Sequence, residues 1–152
     1  MNNIEKKIRI IAICRDEIAK RVSVQTTAMN DAQETANKYK GAMESRYDTF
    51  KEEAQQRRDA HARQIDTLLK KNSALMDVGN KNGLTAGFGS VVETENEIFF
   101  ICFHITDDEI LIDGKELITL REDTQLGMEI SGKKKGDVIQ FCGRATKILD
   151  VY

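Results

Sequence analysis

The spacing of apolar residues changes once along this chain, near Gly79, and the change separates two kinds of structure. Before it, apolar side chains return every three or four positions, the period of a helix face. One series runs through Ile4, Ile8, Ile11, Arg15, Ile18, Val22, Gln25, Met29 and Ala32. A second runs through Met43, Tyr47, Phe50, Ala54, His61, Ile65, Leu68 and Leu75. The chain contains no proline, so neither helix is broken from within. Between the series, Asn37 and Gly41 suit a helix end and a reversal. The pattern predicts two antiparallel helices of roughly 33 residues, about 50 Å long at ~1.5 Å per residue. Neither stripe is apolar enough to be buried all round, so the pair is expected as a projecting coiled-coil hairpin.

Gly79, Asn80, Asn82, Gly83, Gly87 and Gly89 mark the boundary, with the hairpin assigned to residues 1–76 and a second domain to 77–152. After the boundary come short runs with strand character. Ser90-Val91-Val92 leads through a turn at Glu95-Asn96 to Ile98 through Phe103. Ile110-Leu111-Ile112 and Leu117 to Leu120 flank Asp113-Gly114, a strong two-residue hairpin signal. Thr124 to Ile130 suits a short helix, and Val138 to Phe141 with Ala145 to Val151 suit a last hairpin around Gly143. The fold class is therefore α+β, a helical hairpin followed by a small, mostly antiparallel β domain with one short helix.

Charge is divided unevenly. Residues 1–76 carry 15 Lys and Arg against 11 Asp and Glu, and residues 77–152 carry 8 against 14, although the net charge is only −2. Such asymmetry points to a charged partner for the first half or to ordinary solvation. Cys14, Cys102 and Cys142 show no metal-type spacing and are expected as reduced thiols of a cytoplasmic protein. The apolar run Ile8 to Cys14 is interrupted by Arg9 and is too short for a signal-peptide core or a membrane span. His61 on the apolar stripe and His104, expected on a strand, make no zinc set, and no phosphate-binding loop or nucleophile elbow is present.

The segment Gly127-Met128-Glu129-Ile130-Ser131-Gly132-Lys133-Lys134-Lys135-Gly136-Asp137-Val138 resembles the C-terminal domain of Gre-type bacterial transcription elongation factors, where a short helix passes through a GKKxGD run into a strand. The close of the chain, Ala145 to Tyr152, resembles that family too. At the reversal between the helices, Gly41, Tyr47 and Lys51-Glu52-Glu53 resemble the family's hairpin tip, with about two residues fewer between Gly41 and Tyr47. The family's Ser-Pro before the short helix is replaced by Glu122-Asp123-Thr124.

The resemblance implies an FKBP-like C-terminal domain and a partner, RNA polymerase, whose secondary channel the hairpin enters. It implies that the run Gly132, Lys133, Lys134, Lys135, Gly136 and Asp137 docks on the polymerase, and that a basic patch of Arg57, Arg58 and Arg63 contacts the nascent RNA 3′ end. It also implies that Glu44 and Asp48, as tip carboxylates, share the Mg²⁺ of the polymerase active site, where the polymerase itself cuts RNA. No cofactor of the chain's own is expected, nor enzyme activity, and a monomer is favoured. The tip departs from the family, since Ala42 replaces its first acidic residue and Lys38, Lys40 and Arg46 outnumber Glu44 and Asp48. Non-catalytic occupation of the channel is therefore the alternative within the family. Outside it stand a coiled-coil interaction module and a prolyl isomerase, for which six Phe, three Tyr and no Trp offer little pocket.

Overall fold

The computed structural model describes residues 2–38, 44–78 and 83–152, with side chains of the second helix described from residue 49 onward. Helix α1 spans Asn3–Lys38 and α2 spans Glu44–Val78. Strands β1 (Val91–Glu93), β2 (Glu97–Cys102), β3 (Leu111–Ile112) and β4 (Lys115–Arg121) follow. Helix α3 (Gln125–Ile130) precedes β5 (Val138–Phe141), β6 (Arg144–Lys147) and β7 (Asp150–Val151). The expected α+β order of hairpin and β domain is present. Contacts group the chain into two compact units: Asp16–Ser73, and Met1–Arg15 together with Ala74–Tyr152.

In Asp16–Ser73 the helices run antiparallel, as two side-chain contacts between them establish. His61 Nδ1 meets Gln25 Oε1 at 2.6 Å, and Arg58 Nη1 donates to Gln33 Oε1 at 2.7 Å. Small residues close the seam, with Ala32, Ala36 and Ala54 buried, and Ile18, further toward the start of α1, is 2% exposed. The seam is thus partly polar, which the sparse apolar stripe anticipated. Phe50 lies off it and is exposed.

The other unit is built on a five-stranded sheet in the order β3-β4-β2-β1-β7. All its pairings are antiparallel except β2 with β4. Strand β2 is buried along its whole length, so both faces of the sheet are covered. On one face Phe99 and Ile101 join Val92, Leu120, Ile130, Ile139 and Ile148 in the main core. On the other, Ile98 borders a small cavity with Ile10 of α1 and Tyr152, and Val78 of α2 lies against Gly89.

Helix α1 begins with a reciprocal cap. Asn2 Oδ1 accepts from the Glu5 amide at 2.8 Å, and Glu5 Oε2 accepts from the Asn2 amide at 3.1 Å. Its first turns then lie on the sheet. This corrects the expected stripe: Ile4 and Ile8 are 58% and 60% exposed, Arg15 is exposed, and Lys7, Ile10 and Cys14 are buried instead. The rotation follows from what α1 packs against, because Lys6 faces Glu93 of β1 and Arg9 faces Asp113 between β3 and β4.

The turn signals were accurate. Asp113 and Gly114, with φ of 52° and 80°, make the two-residue turn between β3 and β4. The last segment differs from expectation. Instead of one continuous strand, β6 pairs with β5 and β7 crosses to pair with β1. His104, expected on a strand, follows β2 in a loop, with Nε2 3.1 Å from Asp107 Oδ1.

Candidate functional site

The loop between α3 and β5 has its backbone secured and its cationic side chains outward. Thr124 caps α3 by accepting from the Gly127 amide at 3.0 Å. At the other end Ser131 N–H donates to Gly127 O, and Gly132 then turns with φ of 80°. A non-glycine residue adopts that left-handed conformation only at a cost of about 1 kcal/mol. Gly132 N–H donates to Ala86 O at 2.8 Å, and Ala86 N–H donates back to Lys133 O at 2.7 Å. Lys134 to Asp137 form a second turn, with Asp137 N–H on Lys134 O at 3.0 Å and Gly136 at φ 93°. The Asp137 carboxylate accepts from the Lys134 amide at 3.0 Å.

Gly132, Gly136 and Asp137 therefore shape the loop. Lys133, Lys134 and Lys135 are what it presents. Lys134 and Lys135 are exposed and Lys133 half-buried, and among the described residues none of the three forms an ion pair. Three adjacent lysines on this hydrogen-bonded turn concentrate positive charge, a pattern that favours acidic or phosphate-bearing surfaces and whose contacts weaken with salt.

The basic patch expected on α2 is not brought together. Arg58 is held by Asp59, at 3.0 and 2.7 Å, and by Gln33. Arg57 and Arg63 are exposed, but six residues place them about 120° apart around the helix. Glu44 and Asp48 lie in the first turns of α2, four apart and so on one helix face. Their side chains, like residues 39–43 of the reversal, lie outside the described residues.

The sequence reading did not single out the acidic residues that hold α1 to the sheet. Glu93 of β1 accepts from Lys115 Nζ at 3.1 Å and from Lys6 Nζ at 3.4 Å. Asn3 donates to Asp150 Oδ2 at 2.9 Å, and Arg9 lies 3.4 Å from Asp113. The steps Asn3–Lys6 and Lys6–Arg9 were the available signal, since residues three apart are neighbours on a helix surface. Tyr152 stands beside Glu93, its hydroxyl 3.5 Å from Oε2. Burial, and then the carboxylates of Glu93 and Asp150, push its ionisation well above the ordinary tyrosine range.

Among the described residues no group of three or more His, Cys, Asp and Glu side chains is placed to hold a metal, and no helix is long and apolar enough to cross a membrane.

No protein-family model matches the sequence, and no curated protein matches it. Among solved structures, the crystal structure of the GreA factor homolog 1 protein of Thermus thermophilus aligns with 16% identity and a TM-score of 0.37, covering 91% of this chain and 94% of that one. A structure of the transcription factor Gfh1 aligns with 14% identity and a TM-score of 0.35, covering 91% and 92%. Alignments this loose carry no argument, and the fold described above stands on the chain's own elements.

Proposed function

We propose that the chain is a Gre-like transcription factor that binds bacterial RNA polymerase at its secondary channel and modulates elongation. The observation that carries this reading is the loop Gly132 to Asp137. Its sequence is where the chain most resembles the Gre family, and its geometry commits the glycines and the aspartate to shape while offering three lysines to a partner. The order of parts, helical hairpin and then β domain, supports the same reading. In this role the β domain seats on the polymerase and the hairpin reaches inward. Glu44 and Asp48 are then the carboxylates available to the polymerase's Mg²⁺, an ion that favours such oxygen ligands. Arg57 and Arg63 are the exposed cations of α2 available to RNA, acting singly rather than as one patch.

The test is binding of the full-length chain to bacterial core RNA polymerase, with a Gre factor as competitor. We expect saturable, salt-sensitive binding that the competitor displaces and that a Lys133→Glu, Lys134→Glu, Lys135→Glu variant weakens at least tenfold, about 1.4 kcal/mol. Binding unaffected by competitor and by the triple variant would reject the docking assignment. A Glu44→Ala, Asp48→Ala variant separates the two modes of action. It abolishes stimulated transcript cleavage if the tip works through its carboxylates, and leaves inhibition intact if the hairpin only fills the channel.

A further inference from the structure

An open groove of about 470 Å³ lies between α3 and β5, lined by Gln125, Leu126 and Glu129 on one side and by Gln140 and Phe141 on the other. Leu126 and Phe141 are partly buried against the main core, and they give the groove an apolar floor. Glu129 is the single charged residue lining it.

Strand β5 borders this groove with an unused edge. It pairs with β6 alone, in the register Val138↔Lys147, Ile139↔Thr146, Gln140↔Ala145 and Phe141↔Arg144. The two-residue turn at Cys142 and Gly143 makes Phe141↔Arg144 a hydrogen-bonded pair, and alternation makes Ile139↔Thr146 the next. The amide and carbonyl groups of Val138 and Gln140 consequently point away from β6. Among the described residues no backbone group pairs with them there. Their repeat, two residues or about 6.8 Å, matches the backbone of another extended chain.

We propose that this groove binds an extended segment of a partner protein by strand addition to β5, with an apolar side chain resting on Leu126 and Phe141 and a neighbouring lysine or arginine facing Glu129. A helix beside an open strand edge is the arrangement by which strand addition combines backbone affinity with side-chain selectivity. The apolar floor selects one face of the added strand, and the lone carboxylate selects a cationic neighbour. The site is distinct from the lysine loop, takes the opposite charge, and needs no polymerase.

The test is a titration of ¹⁵N-labelled full-length protein with a short acetylated peptide of alternating valine and lysine. Two controls accompany it: the corresponding valine–glutamate peptide, and a valine–lysine peptide N-methylated throughout. We expect shifts of the Leu126, Glu129, Val138 and Gln140 amides, new exchange protection at Gln140, and no binding of the N-methylated peptide. Glu129→Lys is expected to weaken the lysine peptide about fivefold and to favour the glutamate peptide, with Glu129→Gln intermediate. Equal binding of the N-methylated peptide, shifts centred elsewhere, or no shifts at all would overturn the proposal. Protection at Gln140 that rises with protein concentration alone would also overturn it, by making a second copy of the chain the occupant.

Discussion

Arg144 of β6 reaches back to donate a 2.7 Å hydrogen bond from Nη2 to Oε1 of Glu97, the buried first residue of β2, so that an ion pair joins the two-stranded ribbon to the main sheet beside the core packing of Ile139 and Phe141. The Glu97 side chain is only 5% exposed, whereas that of Arg144 is 53% exposed. The remaining side-chain partner of the carboxylate is the Thr94 hydroxyl, which donates to Oε2 at 2.8 Å. Removing the arginine leaves a buried charge half satisfied, and Arg144→Ala should cost about 1–3 kcal/mol in denaturant unfolding. Adding Glu97→Gln to that variant should recover part of the loss. If Arg144→Ala is neutral, the pair does not pin the ribbon.

Gly127 tests the packing of α3. A Cβ at this position would lie 2.2 Å from Arg121 O and 2.7 Å from Glu122 O, both backbone atoms that no side-chain rotation can relieve. Gly127→Ala should therefore destabilise by roughly 3 kcal/mol or more, although alanine ordinarily strengthens a helix. Thermal unfolding of the variant checks this, and an unchanged or raised Tm would contradict it.

The raised ionisation of Tyr152 predicts alkaline sensitivity. Below about pH 10 the phenol is protonated in both folded and unfolded chains and contributes no slope. Above that, the unfolded chain releases the proton while the folded chain, with Tyr152 buried beside Glu93, retains it. The unfolded state then binds fewer protons, so stability falls as pH rises from about 10 toward the folded-state value. Tyr152→Phe should flatten that part of the curve, measured as unfolding free energy against pH for both proteins. Identical slopes would mean that the phenol is not protected.

Cys142 occupies the first position of the turn between β5 and β6 with φ of 51°, followed by Gly143 at 75°. Such turns favour Asn or Asp followed by Gly, because a short polar side chain tolerates the left-handed conformation. Cys142→Asn should stabilise the protein by up to about 1 kcal/mol, with a raised denaturation midpoint as the readout.

Much of this fold was legible because its cues are local. Asp113-Gly114 and Thr124 act within a few residues, and the turn and the cap formed where they stand. The helix faces were harder. Ile4 and Ile8 suit a two-helix seam, yet they are exposed, because the first turns of α1 pack on a sheet made 80 to 150 residues later. The polar steps at Asn3, Lys6 and Arg9 mark a polar contact for the start of α1 but do not say that Glu93, 87 residues on, supplies it. The lysine loop was readable as a motif, but the role of its Asp137, an acceptor for the Lys134 amide, needed coordinates. The groove beside β5 arises from strand order, which no local pattern encodes.

The hydrogen bond from Asn3 to Asp150 joins residues 147 positions apart, and β1 likewise closes on β7. On the ribosome, at about 5–20 residues per second, the beginning of α1 waits roughly 7–30 s for the strand that completes its seat. Until then Ile10 and Val92 lack their final surroundings, and β1 stands as an open border able to capture a strand from a neighbouring nascent chain. Assembly of this unit is therefore governed by its last-made segment. Slowed or interrupted synthesis near β7 would leave β1 without its outer partner and the start of α1 without Asp150, a species open to strand exchange.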